Sequence, residues 1–109
     1  MLEEKGSHVY DRLLTPEEVS YCRSKADPSE SVAVRLAAKE AVYKALQSLP
    51  AARGVGWREI EVVRREDGRP GVVLTGLAQR VARELGVREV MISLSHTHLA
   101  AIAIAVLES

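Results

Sequence analysis

The chain has 109 residues, which is enough for one domain with its own apolar core, so we expect a single domain over residues 1–109. Its 15 basic and 15 acidic residues balance, which argues against broad electrostatic binding to nucleic acid or to a membrane surface. The single cysteine, Cys22, excludes an internal disulfide and a cysteine-built metal site, and it fits a reducing cytoplasm.

The first clear structural signal follows an opening segment that is only weakly helical and has no apolar run of the signal-peptide kind. Thr15 can cap a helix, Pro16 suits the first helical position, and Glu18 completes a capping box. We therefore expect a short helix from Pro16 to about Lys25, followed by a loop over residues 26–29.

The longest helical pattern comes next, from about Glu30 to Leu49, and no glycine or proline interrupts it. Glu40 and Lys44 are one turn apart on one face, and Arg35 and Lys39 form a second such pair, turned away from the first. A carboxylate and an ammonium held this way can bind Mg²⁺ and a phosphate together. An ordinary surface ion pair has the same spacing, so the spacing alone leaves both interpretations open.

The pattern of the second half of the chain predicts four strands and one short helix. We expect a loop over residues 50–56, a strand over 57–65, a return strand over 71–74, a helix over 76–85 that Thr75 caps, and strands over 88–95 and 100–107. The last two strands are apolar and joined by a short polar break, so they predict an antiparallel hairpin packed on the central helix. The whole pattern indicates an α+β domain.

The polar break, Ser95-His96-Thr97-His98, is the second candidate for chemistry. Two histidines could bind a metal ion, but spacing supplies no third ligand. A histidine could also act as a general base, because imidazole titrates near neutrality. An exposed polar turn has the same composition, and the residues alone do not separate these interpretations.

Several motifs then occur together in a recognisable order. They are Leu-Leu-Thr-Pro-Glu-Glu at 13–18, Arg-Leu-Ala-Ala-Lys-Glu-Ala at 35–41 with Lys44-Ala45, Trp-Arg-Glu-Ile-Glu-Val at 57–62, Asp-Gly-Arg-Pro at 67–70, and Ser-Leu-Ser-His-Thr at 93–97. With these motifs the chain resembles holo-acyl-carrier-protein synthase, the small class of 4′-phosphopantetheinyl transferases. The resemblance covers nearly the whole length, and the element at 35–41 is highly specific.

The resemblance implies an antiparallel sheet packed on a long central helix and Mg²⁺-dependent transfer of 4′-phosphopantetheine from coenzyme A to a serine of apo acyl carrier protein, releasing 3′,5′-ADP. By position, Glu40 resembles the family's helix-borne Mg²⁺ ligand, and Lys44 resembles the lysine that contacts the phosphate being displaced. Arg35, His96 and Thr97 resemble the set around the nucleotide and its 3′-phosphate. The expected assembly is a homotrimer with active sites at the subunit interfaces.

Two departures from the family pattern bear on activity. The family opens with a strand carrying Gly-Ile-Asp, whose aspartate is a metal ligand, and Asp11 does not occupy that context. Gln47-Ser48 stands where the family usually has glycine, which could alter the coenzyme pocket. We therefore expect reduced transferase activity. The alternatives are a relative that binds coenzyme A or ADP without turnover, and a trimer-forming paralogue without a ligand.

Overall fold

The computed structural model describes residues 11–96 and 101–108. Its helices are α1 (Pro16–Arg23), α2 (Pro28–Ala45) and α3 (Gly76–Glu84), and its strands are β1 (Ile60–Arg64), β2 (Pro70–Leu74), β3 (Glu89–His96) and β4 (Ala101–Glu108). Two short 3₁₀ helices, Pro50–Gly54 and Trp57–Glu59, connect α2 to β1. The order of elements confirms the α+β expectation.

Side-chain caps set the starts of the first two helices. Thr15 and Glu18 form the predicted capping box of α1, each side chain bonding to the other's backbone N–H. Helix α2 begins earlier than expected, because the Asp27 side chain accepts a hydrogen bond from the backbone of Glu30 and Pro28 occupies the first turn. Helix α1 also ends earlier than expected, at Arg23 instead of about Lys25, so the loop spans residues 24–27 and the predicted loop over residues 26–29 was two residues too far along the chain.

Helix α2 also ends earlier than expected, at Ala45 instead of Leu49. Gln47 Nε2 donates to the carbonyl oxygens of Tyr43 and Ala52, each at 3.1 Å. This side chain satisfies a helical carbonyl that another turn would have paired, and it ties the helix end to the following 3₁₀ helix. The expected loop over residues 50–56 was wrong for Pro50–Gly54, which form a 3₁₀ helix, and the expected strand start at residue 57 was wrong, since Trp57–Glu59 form another.

The four strands form two antiparallel hairpins, as expected. Ile60 pairs with Leu74 at one end of the β1–β2 ladder, and Glu89 pairs with Glu108 at one end of the β3–β4 ladder. Among the described strands these are two separate two-stranded sheets, with β2 lying beside β3. Helix α2 contacts β1, β3 and β4, so it is the central element of the fold.

Helix α3 lies where it was predicted, but its cap differs. Gly86 has a positive φ of 75° and follows the end of the helix, as the sequence indicates. Thr75 occupies the N-cap position without making a side-chain capping bond. The Glu59 carboxylate accepts the Leu77 N–H instead, at 3.2 Å.

Two apolar clusters form the core, one toward each end of α2. The larger includes Val42, Leu46, Ile60 and Val81, and it joins α2 and α3 to the hairpins. The smaller consists of buried Leu14, Val19, Cys22 and Val32 between α1 and α2. In the described part of the chain, no helix combines the length and apolar character that crossing a membrane would need.

Candidate active site

Helix α2 carries one charged pair on its outer face. Lys44 Nζ lies 3.0 Å from Glu40 Oε2, and the two side chains are 72% and 55% exposed. Neither residue lines the cavities of about 290, 370 and 610 Å³ that lie within the described residues. The pair predicted from the one-turn spacing is therefore formed and open to solvent.

The second pair of α2, Arg35 and Lys39, has the same spacing and the opposite environment. Arg35 is 8% exposed and Lys39 is fully buried. The reason lies in the helical period, because Lys39 falls in the same stripe as the buried Val32, Val42 and Leu46. That stripe was the signal that sequence reasoning missed.

Every donor of the Lys39 ammonium has an acceptor. Its Nζ lies 2.7 Å from Glu18 Oε1 and donates to the carbonyl oxygens of Trp57 at 2.9 Å and Ile60 at 2.5 Å. Burial lowers the pKa of Lys39 below its ordinary value, and the carboxylate of Glu18 opposes that shift. The ammonium therefore joins helix α1, helix α2 and the start of β1.

The carboxylate of Glu18 is equally engaged. Its Oε1 also accepts the Thr15 N–H at 2.9 Å, and its Oε2 accepts the Val62 N–H at 2.8 Å. Sequence reasoning assigned this residue to capping alone. In the structure both oxygens are occupied, and the buried Glu18–Lys39 pair has no net charge.

Arg35 is the buried charge without such a partner. Its Nε is buried and makes no hydrogen bond, and its guanidinium lies over the Tyr21 ring at 4.2 Å from the centroid. Arg35 lines the cavity of about 370 Å³, and we call this the Arg35 cavity. Its other lining residues are Tyr21, Lys25, Glu30, Ser31, Val34, Val62, Val63, Arg64, Gly68, Pro70 and Leu94.

The Arg35 cavity is electropositive. Lys25, Arg35 and Arg64 line it, against one carboxylate, that of Glu30. Arg64 donates to the Tyr21 hydroxyl at 2.9 Å, and Lys25 Nζ lies 4.5 Å from the centroid of that ring. Lys25, and to a lesser extent Arg64, lower the pKa of Tyr21 against the opposing effect of burial. Such a lining can bind an anion.

The polar break between β3 and β4 lies partly within the described residues. His96 is the last residue of β3 and pairs with Ala101, so it belongs to the strand and not to the break. Leu94, two positions earlier, lines the Arg35 cavity, which brings the end of β3 close to Arg35. Thr97 and His98 lie outside the described residues.

The structure describes both positions at which the sequence departs from the resemblance, Asp11 and Gln47. Asp11 is exposed and lines the cavity of about 610 Å³, together with Arg23 and Arg58. Gln47 stands where the resemblance implies a glycine, and its side-chain amide donates to two backbone carbonyls. Among the described residues, no group of three or more His, Cys, Asp or Glu side chains is arranged to hold a metal ion.

Comparison with known proteins identifies the family of this chain. The family model of the 4′-phosphopantetheinyl transferase superfamily matches residues 1–104. The holo-[acyl-carrier-protein] synthase of Moorella thermoacetica is 48% identical over 103 residues, which cover 90% of this chain and 75% of that protein.

Solved structures give the same result for the fold. The ACPS–CoA complex of Chronobacterium ammoniagenes superimposes with a TM-score of 0.79 at 28% identity, covering 95% of this chain and 83% of that one. Helicobacter pylori holo-[acyl-carrier-protein] synthase in complex with coenzyme A gives 0.77 at 25% identity, covering 97% and 86%. The chain therefore belongs to the 4′-phosphopantetheinyl transferase superfamily, within its family of holo-acyl-carrier-protein synthases.

Proposed function

We propose that this protein transfers 4′-phosphopantetheine from coenzyme A to a serine of apo acyl carrier protein with the help of Mg²⁺. The observation that carries the proposal is the exposed Glu40–Lys44 pair, 3.0 Å apart, within the motif at residues 35–41. Membership of the family and the named coenzyme A complexes of two relatives support it.

Glu40 has the chemistry that a magnesium ligand needs. Mg²⁺ is commonly bound through one or two carboxylates, with substrate phosphates and water completing its shell. An exposed carboxylate outside any cluster of three metal-binding side chains suits that coordination better than it suits zinc. When bound, the ion would offset negative charge on the diphosphate of coenzyme A.

In the proposed reaction, the serine hydroxyl oxygen of the carrier protein forms a bond to the phosphorus next to the pantetheine arm. The bond from that phosphorus to the bridging oxygen breaks, 3′,5′-ADP leaves with the electron pair, and the serine proton passes to a base or to water. Lys44 holds the phosphate oxygens as negative charge moves onto the leaving group. Glu40 orients Lys44 through their ion pair.

The Arg35 cavity is the proposed site for the nucleotide phosphates. Arg35 supplies a buried, unpartnered N–H, and Lys25 and Arg64 add positive charge. A volume of about 370 Å³ lies in the range of small-molecule sites, about 300–1,000 Å³. We also propose that His96 and Thr97 contact this nucleotide, since β3 ends beside the cavity.

The two charged regions of one chain lie on different faces of α2, so we propose that they contact different coenzyme A molecules. At about 100° per residue, Glu40 lies about 140° around α2 from Arg35, and Lys44 lies about 180° from it. The Arg35 cavity of one copy would therefore meet the Glu40–Lys44 pair of the next. Such a contact joins two different surfaces, and it closes into a ring when the rotation between copies allows it.

The outer face of the β3–β4 hairpin supplies a surface for such an assembly. Met91 and Val106 face each other across the ladder, with Ile104 on the same side, and they are 48%, 50% and 61% exposed. Exposed apolar groups in one patch favour contact between copies. Together with the family resemblance, this face supports a homotrimer.

The transfer proposal is tested by a single-turnover assay with coenzyme A, Mg²⁺ and apo acyl carrier protein. Modified carrier protein, measured by mass spectrometry, is the expected product, and its formation should stop when Mg²⁺ is chelated. Binding of coenzyme A without transfer would contradict the proposal and favour the non-catalytic alternative. The same assay tests the expectation of reduced activity, by comparison with a relative that carries the Gly-Ile-Asp aspartate.

The shared site is tested with two inactive variants, Arg35→Leu and Glu40→Gln, which are unfolded, mixed in equal amounts and refolded together. If each site combines Arg35 of one copy with Glu40 of the next, about one quarter of the sites in randomly mixed rings are intact, and activity returns to that extent. If both residues of a site come from one chain, mixing restores nothing. Light scattering on the same samples gives the number of copies.

A further inference from the structure

We infer that Lys39 is a positioning residue for anion binding, because it holds the Glu18 carboxylate away from Arg35 and so leaves Arg35 free for the ligand. The inference rests on the proposed role of the Arg35 cavity. It concerns a lysine that is fully buried and does not line that cavity.

The two helices bring these groups into two adjacent layers. Lys39 and Arg35 are one turn apart on α2, and Glu18 and Cys22 are one turn apart on α1. Glu18 contacts Lys39 in one layer, and Arg35 lies over Tyr21, the neighbour of Cys22, in the other. Glu18 is therefore about one helical turn, or about 5 Å along the axis, from the layer of Arg35.

The causes of the pKa shifts of Cys22 and Lys39 agree with the placement of Glu18 near Arg35. The charges of Glu18 and Arg35 both act on the thiol of Cys22, and both act on the ammonium of Lys39. A buried carboxylate this close to a buried guanidinium would pair with it if no other cation held it, because an unpaired charge in the interior is costly. In the native structure Lys39 is that other cation.

Two further carboxylates lie in the region. Glu61 is half-buried, acts on Lys39 through its charge and accepts a hydrogen bond from the Thr15 hydroxyl at 2.5 Å. Glu30 lines the Arg35 cavity and has interactions of its own. Of the described carboxylates, Glu18 is the one that is fully buried beside Lys39.

The consequence is an interior with one excess positive charge. Glu18 and Lys39 cancel, and every acceptor and donor that they need is present. Arg35 lines the cavity and keeps its charge, and its buried Nε has no hydrogen-bond partner within the described residues. An anionic ligand in the cavity can offset this charge, whereas a protein carboxylate in its place would compete with the ligand.

The test is the affinity of 3′,5′-ADP for variants of the full chain, measured by calorimetry. Lys39→Met should weaken binding about tenfold or more, since Glu18 is freed to pair with Arg35. Glu18→Gln should strengthen binding, since it removes a buried negative charge about one helical turn from Arg35. The double variant Glu18→Gln/Lys39→Met removes opposite charges together and should bind within about threefold of the unmodified chain.

A merely structural role for Lys39 predicts a different pattern, in which both single variants lose affinity and neither gains it. That pattern, or a double variant that binds no better than Lys39→Met, would overturn the inference. Should Lys39→Met not fold, as circular dichroism would reveal, the gain expected for Glu18→Gln and the unchanged double variant remain decisive. Trimethylamine N-oxide can restore the native state of a weakened single variant for the measurement.

Arg35→Leu separates this inference from the proposed function. If the unmodified chain does not bind 3′,5′-ADP, or if Arg35→Leu binds it equally well, the proposed nucleotide site is wrong. If Arg35→Leu loses binding while Lys39→Met and Glu18→Gln both bind like the unmodified chain, the site stands and the role of Lys39 is wrong.

Discussion

The two charged pairs of helix α2 have the same spacing and lie in opposite surroundings. Glu40 and Lys44 face solvent and contact each other, whereas Arg35 and Lys39 point into the protein and make separate contacts. An exposed ion pair adds little to stability, so the outer pair is available for chemistry at small cost. A buried charge is costly unless it is paired, so Lys39 is tied to the fold through Glu18, whereas Arg35 has no such carboxylate partner among the described residues.

The largest effect should come from breaking the buried ion pair between Glu18 and Lys39. In Lys39→Met the Glu18 carboxylate stays buried without its counter-charge, which should lower the free energy of unfolding by about 3–5 kcal/mol. Urea denaturation followed by circular dichroism measures the change. Lys44→Met removes the same charge from the outer pair and should stay within about 0.5 kcal/mol of the unmodified chain.

The outer pair should show the reverse pattern, with a large loss of activity and an almost unchanged stability. Glu40→Gln keeps the size of the side chain but removes the charge proposed to hold Mg²⁺, so transfer should slow by about 100-fold or more. The single-turnover assay measures the rate, and urea denaturation measures the stability. A variant that transfers at the normal rate would remove Glu40 from the proposed machinery.

Sequence alone predicted the elements well where local signals decide the structure. The capping box of Thr15 and Glu18, both hairpins and the end of α3 at Gly86 all follow from short-range patterns. The end of α2 did not follow from such a pattern. It depends on Gln47 reaching the carbonyl of Ala52, and helix propensity contains no information about that contact.

The candidate site also contains one contact that local spacing predicts and one that it does not. Spacing correctly predicted that Glu40 and Lys44 meet, because residues one turn apart are neighbours on any helix. The partner of Lys39 could not be predicted from spacing, since Glu18 comes from another helix and was already explained by its cap. Which charged pair faces inward depends on tertiary packing against α1 and β1.

Glu59 is intermediate between the exposed and the buried charged pairs of α2. Its carboxylate is half-buried and accepts hydrogen bonds from backbone N–H groups. It accepts the N–H of Gly56 at 3.0 Å and that of Leu77 at 3.2 Å, and so caps α3 from outside the helix. Glu59→Ala should lower the free energy of unfolding by about 1 kcal/mol, the usual cost of a lost cap. Thr75→Ala is the matched control and should have little effect, because Thr75 makes no side-chain capping bond.

The smallest effect should come from Cys22, which lies in the layer of Arg35, one helical turn from Glu18. Burial raises the pKa of its thiol above the ordinary 9.0, with Glu18 raising it further and Arg35 opposing the shift. Above about pH 9 the unfolded chain therefore loses this proton more readily than the native protein. The stabilising contribution of Cys22 is complete below that pH and is lost as the pH rises through the native pKa.

Cys22→Ala isolates this effect, since all other titrating groups are common to both chains. The difference in free energy of unfolding between the unmodified chain and Cys22→Ala should be constant from pH 6 to about pH 8 and should shrink as the pH is raised further. Urea denaturation over this pH range, under reducing conditions, measures it. A difference that stays constant at alkaline pH would mean that water reaches the thiol, and the inner layer would then be less sealed from solvent than the pairing of Glu18 with Lys39 requires.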